Sequence, residues 1–479
     1  MSAVIAQKAL FGPACESDGP VRIGHEHGRI TAIETLANQP VGPRRLAMPC
    51  FANAHDHGRA LPTLAFGAHD QPLETWLLRL AVAPSIDPYL AACASFGRAA
   101  LGGSGAVMMH CTRAQGLTDL PTEVAEVARA ADTVGIRAAF AVGLRDRNPL
   151  LYGDDRLVRE SMDIETRRVA DRYFRIPTQS IEAMLKSVDA CAQAVADRGL
   201  DVQYGPTGVQ WCSDALLAAI AQASADSNRR VHMHLLETRY QRDWADRHYP
   251  NGIVRHLADI GLLGPRLTLA HCVWARDDEL DLIAESGTTI AVNTSSNLTL
   301  RSGIAPLRRM LDAGCRVALG LDGSALDQDD DAIREMRLTR LLHADRGFED
   351  WNGDEAMLRS ALGHGRHCIG APGSGMLAIG EPADWLLLDL DAMQKYCLVD
   401  NPLSSLLFAR TRAAEIKELW VAGQPVVRDG CLANLDLDLI HAELIEQYRR
   451  HWHDRRDLQN VWPSIENHLR RWYQQAGCC

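Results

Sequence analysis

No stretch of the 479 residues stays apolar for the roughly 20 positions a membrane-spanning helix needs, so no membrane partner is expected. No basic cluster stands anywhere, and the net charge is −11, which argues against a nucleic-acid surface. The opening Met1–Lys8 has no cationic segment leading into an apolar core, so no signal peptide is expected. Paired cysteine spacing is missing too. Thirteen scattered cysteines, an odd number, read as reduced thiols in a cytoplasmic protein. The terminal Cys478-Cys479 pair receives no role, since adjacent cysteines rarely bridge each other. There is no low-complexity tract. What remains, 47% hydrophobic and 23% charged, suits a globular chain with one large domain and a smaller one.

Residues 1–45 hold short β-like runs, such as Val21–Ile23 and Arg29–Ile33, which cannot bury a core without partners elsewhere. An apolar strand then runs into His55 and His57, followed by a loop and a helical stretch near Trp76. Further apolar runs follow at Ala106–His110, Arg137–Gly143, Val202–Gly205, Arg230–His234, Leu267–His271, Thr288–Val292 and Val317–Gly320. Helical patterns separate them, among them Asp119–Val134, Ser180–Arg198 and Asp214–Ser227. Eight strand–helix units in a row predict an α/β fold, a (β/α)8 TIM barrel over residues 46–374. After it, Ala383–Asp389 and a hairpin around Gly423-Gln424 read as strands within residues 375–436. With residues 1–45 they predict a small composite β-sandwich domain built from both chain ends. Residues 437–479 read as a packed helical tail carrying Trp452, Trp462 and Trp472, with a homodimer contact as the other use of that face.

The first barrel strand ends in His55-Asp56-His57. Side chains on a strand alternate faces, so the two histidines point one way and Asp56 the other. At roughly 3.3 Å of rise per residue their Cα atoms stand about 6.5 Å apart, close enough for both imidazoles to meet one ion. Two hydrogen-bonded histidines in a loop would look the same. The fifth strand repeats the spacing in His232 and His234, and by geometry alone either could be a ligand. Glu237, three residues on, could act as a general acid–base beside an activated water, or could cap a helix. The sixth strand ends in His271 and the eighth in Asp322. One polar strand end is ordinary; four among eight point to a metal-dependent active site. Catalytic zinc takes imidazole and carboxylate ligands and leaves one position open for water, a set that His55, His57, His234 and Asp322 would supply. Fe2+ and Mn2+ accept similar ligands.

These motifs resemble the amidohydrolase superfamily, in its branch of cytosine-, guanine- and adenosine-type deaminases and triazine hydrolases. The resemblance runs to about Leu432. Its motifs are Asn53-Ala-His55-Asp-His57, Pro72-Leu-Glu-Thr-Trp76-Leu, His234-Leu-Leu-Glu237-Thr238, Ala270-His271-Cys272, Ser295-Ser-Asn297, Gly320-Leu-Asp322-Gly323, Glu335-Met-Arg337 and Pro382-Ala-Asp384. It implies one divalent ion, Zn2+ first, on His55, His57, His234 and Asp322. It implies further that Glu237 relays a proton from water to a ring nitrogen, that His271 holds the attacking oxygen, and that Asp322 helps move a proton to the departing amine. Relatives with two metals need a carboxylated lysine after the fourth strand. The lysines here, Lys8, Lys186, Lys395 and Lys417, are nowhere near one. The chain departs from the resemblance after the metal aspartate, where Ser324-Ala-Leu326-Asp327-Gln328 replaces the usual Ser-Asn pair. The Asp329–Asp331 run behind it reads as a solvated helix N-terminus.

The expected activity is hydrolytic deamination of a small molecule: an amino group on a purine, pterin, pyrimidine or triazine ring is replaced by oxygen and ammonia leaves. Arg59, His69, His110, Gln210, Trp211 and Asp327 are candidate substrate contacts, each also readable as packing or surface. Hydrolysis of another C–N bond, an amide, imine or urea, is the enzymatic alternative. A catalytically dead scaffold is the non-enzymatic one.

Overall fold

Strands buried on both faces need no polar alternation, so each appears in sequence as a plain apolar run. In the computed structural model eight such runs form one parallel sheet in chain order. They are β1 (Phe51–Asp56), β2 (Ser104–Cys111), β3 (Arg137–Leu144), β4 (Leu200–Pro206), β5 (Val231–Leu235), β6 (Leu267–His271), β7 (Thr289–Val292) and β8 (Arg316–Leu319). Residues 2–476 are described, except 39, 177, 324–328, 345–346 and 349–350. β1 and β8 meet past the end of β8, where the amides of Leu321 and Asp322 donate to the His55 carbonyl at 3.1 and 2.8 Å. This is the barrel the alternation predicts.

Helices between the strands begin where a side chain caps the first turn: Asp119 for Leu120–Val134, Ser180 for Ile181–Ala194 and Ser213 for Asp214–Ser227. The second of these stops short of the expected Arg198. Val195 turns out of helical geometry (φ −123°) and buries its side chain. The Asp329–Asp331 run does mark a helix start, with Asp331 accepting from the amides of Ile333 and Arg334, each at 3.0 Å. It is not solvated throughout. Asp330 and Asp331 are buried, and Asp330 pairs with Arg98 at 3.1 Å.

Arg45–Pro49 lies antiparallel to Trp385–Asp389 and parallel to Lys8–Leu10, then runs directly into β1. The boundary expected at residue 46 therefore falls inside a strand of the mixed sheet. Ile416–Val421 and Gln424–Arg428 extend that sheet. Their turn is Ala422-Gly423, one residue earlier than expected, with both residues left-handed (φ 51° and 71°), the conformation that matches hairpin twist. A three-stranded sheet of Ser2–Ala6, Val21–Glu26 and Arg29–Thr35 lays Val4, Val21, Ile23 and Ile30 against Trp385 and Leu387. Both ends of the chain thus make one β-sandwich.

The tail consists of helices Leu437–His451 and Arg456–Ala476. Leu458, Trp462, Ile465, Leu469 and Tyr473 recur at helical spacing and are buried in the main core. Trp452, by contrast, is 38% exposed and stacks near Phe66. Among the described residues no helix is long and apolar enough to cross a membrane.

Asp384 locks the β-sandwich to the barrel. Its carboxylate accepts from Arg137 at 2.9 and 3.0 Å, from Arg366 at 2.8 Å and from the Ala422 amide at 2.7 Å. Burial works against the charged form, yet the Arg137 hydrogen bond and the Arg366 charge hold the carboxyl below its usual range. Asp384→Ala leaves the buried Arg366 guanidinium without its partner. Such removals cost about 3–5 kcal/mol, so the unfolding midpoint in urea is expected to drop clearly. An unchanged midpoint would mean that the pair contributes nothing to stability.

Candidate active site

Parallel barrel strands all deliver their last residues to one mouth. His55 on β1, His57 just past it, His234 on β5, His271 on β6 and Asp322 just past β8 meet there, all but His57 being buried. Asp56 points the other way and binds the loops instead. It accepts from the amides of His57, Gly58 and Gly323 and from Asn53 Nδ2, while Asn53 Oδ1 accepts from the Leu321 amide. Gly320 has no room for a side chain, since a Cβ would lie 2.8 Å from His55 Cβ.

His57 Nδ1 lies 2.7 Å from the His110 carbonyl and His234 Nδ1 lies 2.8 Å from the Thr207 carbonyl. A carbonyl can only accept, so in each ring Nδ1 carries the proton and Nε2 presents a bare lone pair when the imidazole is neutral. Those two Nε2 atoms are 3.3 Å apart. Asp322 Oδ1, which accepts no hydrogen bond, lies 3.0 Å from His57 Nε2 and 3.4 Å from His55 Nε2. Lone pairs converging in this way repel one another unless a cation sits among them. The donor set fits a divalent ion: the ligand atoms of His55, His57 and Asp322 lie within 4.8 Å of one another, as do those of His55, His234 and His271.

The structure separates the two β5 histidines. His232 lies one layer deeper, and its Nε2 meets His55 Nδ1 at 2.8 Å, so it orients His55 from behind while His234 faces the mouth. The helix Thr294–Thr299 after β7 supplies further support. Ser296 Oγ donates to Asp322 Oδ2 at 2.5 Å, and Asn297 Oδ1 accepts from His271 Nδ1 at 2.8 Å. Burial pushes the His271 imidazole down to about 4, so it is neutral at physiological pH with Nε2 bare.

Glu237 Oε2 lies 3.6 Å from His271 Nε2, and Ser302 Oγ donates to Glu237 Oε1 at 3.4 Å. Burial first, then the Asp322 and Glu74 charges, push the Glu237 carboxyl well above the usual carboxylate range. A carboxyl that holds its proton more tightly than usual can both take a proton and deliver it, which suits proton transfer. The backbone here is strained. Leu236, His271 and Asp322 are all left-handed (φ 50°, 76° and 58°), a conformation that costs an L-residue on the order of 1–2 kcal/mol.

The candidate substrate contacts divide. Arg59 donates to the Asp322 carbonyl and lies over Trp76 at 4.8 Å, within the site. His110 is fully buried with its ring 4.8 Å from that of His234, and neither of its nitrogens has a partner among the described residues. Gln210 and Trp211 are buried on the short helix after β4, where Trp211 stands edge-on to Tyr152 at 5.5 Å. His69 is exposed. Asp327 lies outside the described residues. Glu74, Tyr152 and Gln241, all buried beside Glu237, went unassigned in the sequence; only Glu74 sat in a motif that could have drawn notice.

A sequence profile of the amidohydrolase family matches residues 46–426. The chain is 28% identical to a 5'-deoxyadenosine deaminase of Methanopyrus kandleri over 86% of its own length and 90% of that protein's. It is 27% identical to a 5-methylthioadenosine/S-adenosylhomocysteine deaminase of Pyrococcus abyssi, covering 88% and 92%. Among solved structures, the zinc complex of atrazine chlorohydrolase TrzN from Arthrobacter aurescens superposes with a TM-score of 0.76 at 22% identity, over 94% of this chain and 100% of that one. An adenosine deaminase from Xanthomonas campestris with bound zinc does so with a TM-score of 0.76 at 21% identity, over 94% and 98%.

Proposed function

The chain belongs to the amidohydrolase family, and on that premise we propose that it is a mononuclear zinc aminohydrolase acting on an aminated nitrogen heterocycle. The observation that carries this reading is the convergence of bare lone pairs from His55, His57, His234 and Asp322, with Glu237 and His271 facing each other at its edge. Full-length likeness to deaminases of adenine nucleosides supports an amino-substituted ring as substrate.

A divalent ion on those four residues would supply positive charge that brings the pKa of water toward neutrality. Glu237 takes the proton of the attacking water and hands it to the ring nitrogen beside the reacting carbon. His271, neutral and fixed through Nδ1 by Asn297, accepts a hydrogen bond from the attacking oxygen at its bare Nε2. Asp322 then takes the remaining proton of the added hydroxyl and passes it to the departing amine. The C–N bond breaks, a ring carbonyl forms, and ammonia leaves.

Ammonia release by zinc-loaded protein tests this, across 5'-deoxyadenosine, 5'-methylthioadenosine and free amino-purines, pterins, pyrimidines and triazines. Release on at least one of them is expected. Silence on all, with hydrolysis of amides or ureas by the same preparation, would move the reading to another C–N bond.

A further inference from the structure

Glu237 follows the left-handed Leu236, so its direction depends on whatever holds that turn. On the barrel side backbone bonds do this, with Trp274 N–H donating to the Leu236 carbonyl at 3.0 Å. On the other side the hold is a closed ring of side chains. Glu237 N–H donates to Gln241 Oε1 at 2.8 Å, and Gln241 Nε2 donates to the Tyr152 hydroxyl at 3.3 Å. That hydroxyl donates to Glu74 Oε1 at 3.1 Å, and the same oxygen accepts from Thr238 Oγ1 at 2.6 Å. Thr238 is the neighbour of Glu237, so the ring is complete.

Tyr152 decides the polarity of this ring. A carboxylate can only accept, so the single phenolic proton goes to Glu74, and the phenol oxygen must accept from Gln241. That fixes the Gln241 amide with its oxygen toward Glu237 N–H. Without the hydroxyl the Gln241 amide loses one of the two bonds that fix its orientation. Tyr152 is itself placed by the tail. Its amide donates to the Tyr473 hydroxyl at 3.3 Å, and the two rings stand edge-on at 5.6 Å. Tyr473 lies beyond the residues the family profile matches.

We propose that Tyr152, set by Tyr473, is a positioning residue for the reaction, so that the C-terminal helix belongs to the catalytic apparatus. The proposal rests on Glu237 being the proton carrier. Tyr152→Phe keeps the ring packed against Tyr473 and Trp211 and removes only the hydroxyl. Its kcat per bound metal is expected to fall about tenfold, with KM and metal content within twofold of wild type. Gln241→Met should give a similar loss, and the double variant should be no slower than the slower single, because both act through one ring. A kcat within twofold of wild type, or losses that multiply in the double variant, would overturn the proposal. If Tyr152→Phe does not accumulate as folded protein, Tyr473→Phe reads the same chain, with about a threefold loss expected and no loss overturning it. Glu237→Gln in the same assay keeps the two readings apart. Its inactivity beside a fully active Tyr152→Phe sinks the positioning role alone, whereas activity in Glu237→Gln sinks the proton-carrier reading itself.

Discussion

Glu237→Gln is expected to cut ammonia release by about a thousandfold or more while metal content stays at the wild-type value. The amide matches the carboxyl in shape and can keep the Ser302 contact, so the pocket has no reason to rearrange. It cannot take a proton from water or pass one on. Positioned acid–base groups typically contribute about 10²–10⁴-fold, and in the proposed mechanism one group serves two transfers, water to Glu237 and Glu237 to the ring. The raised pKa fits that double duty, since an ordinary carboxylate would hold the proton too weakly to deliver it. Steady-state ammonia release and metal analysis on one preparation decide the matter. Activity within a few-fold of wild type would remove Glu237 from the proton path.

His55→Ala is expected to bring metal content from about one per chain to near zero, with activity falling in step. His55 is fully buried and common to both groups of converging ligand atoms, so its loss weakens every arrangement the site offers an ion. Elemental analysis after dialysis, with circular dichroism to check folding, gives the result. An unchanged stoichiometry would strike His55 from the ligands. His232→Ala offers a graded comparison, as loss of a group orienting a ligand from behind typically weakens metal binding by about 10- to 100-fold.

The barrel was legible because doubly covered strands are apolar along their whole length and change character abruptly at the mouth. His55, His57, His271 and Asp322 stood out as polar stops after such runs. The choice between His232 and His234 was not legible, since both share a face and only depth in the barrel distinguishes the residue facing the mouth from its support. Nor was the ring through Glu74, Tyr152, Gln241 and Thr238, whose members are 78, 89 and 164 positions apart across its three long-range bonds. The tail was legible as packed helices carrying Trp452, Trp462 and Trp472, but nothing in them told that Tyr473 would meet Tyr152. The passage from the β-sandwich into the barrel was not legible, because Arg45–Pro49 and β1 follow one another almost without a break and the change of sheet leaves no mark in the sequence.

That continuous run has a consequence for how the protein is made. Arg45–Pro49 emerges early from the ribosome, yet its partner Trp385–Asp389 follows about 340 residues later, some 20 to 70 s at usual rates of synthesis. Throughout that interval the nascent chain carries an open strand edge directly upstream of a barrel that is itself incomplete until Arg316–Leu319 has emerged. Such edges seek other chains, so yield should depend on translation speed and on chaperones that shield the N-terminal segment. Expressing residues 46–426 alone would remove Lys8–Leu10 and leave the strand's other edge permanently open.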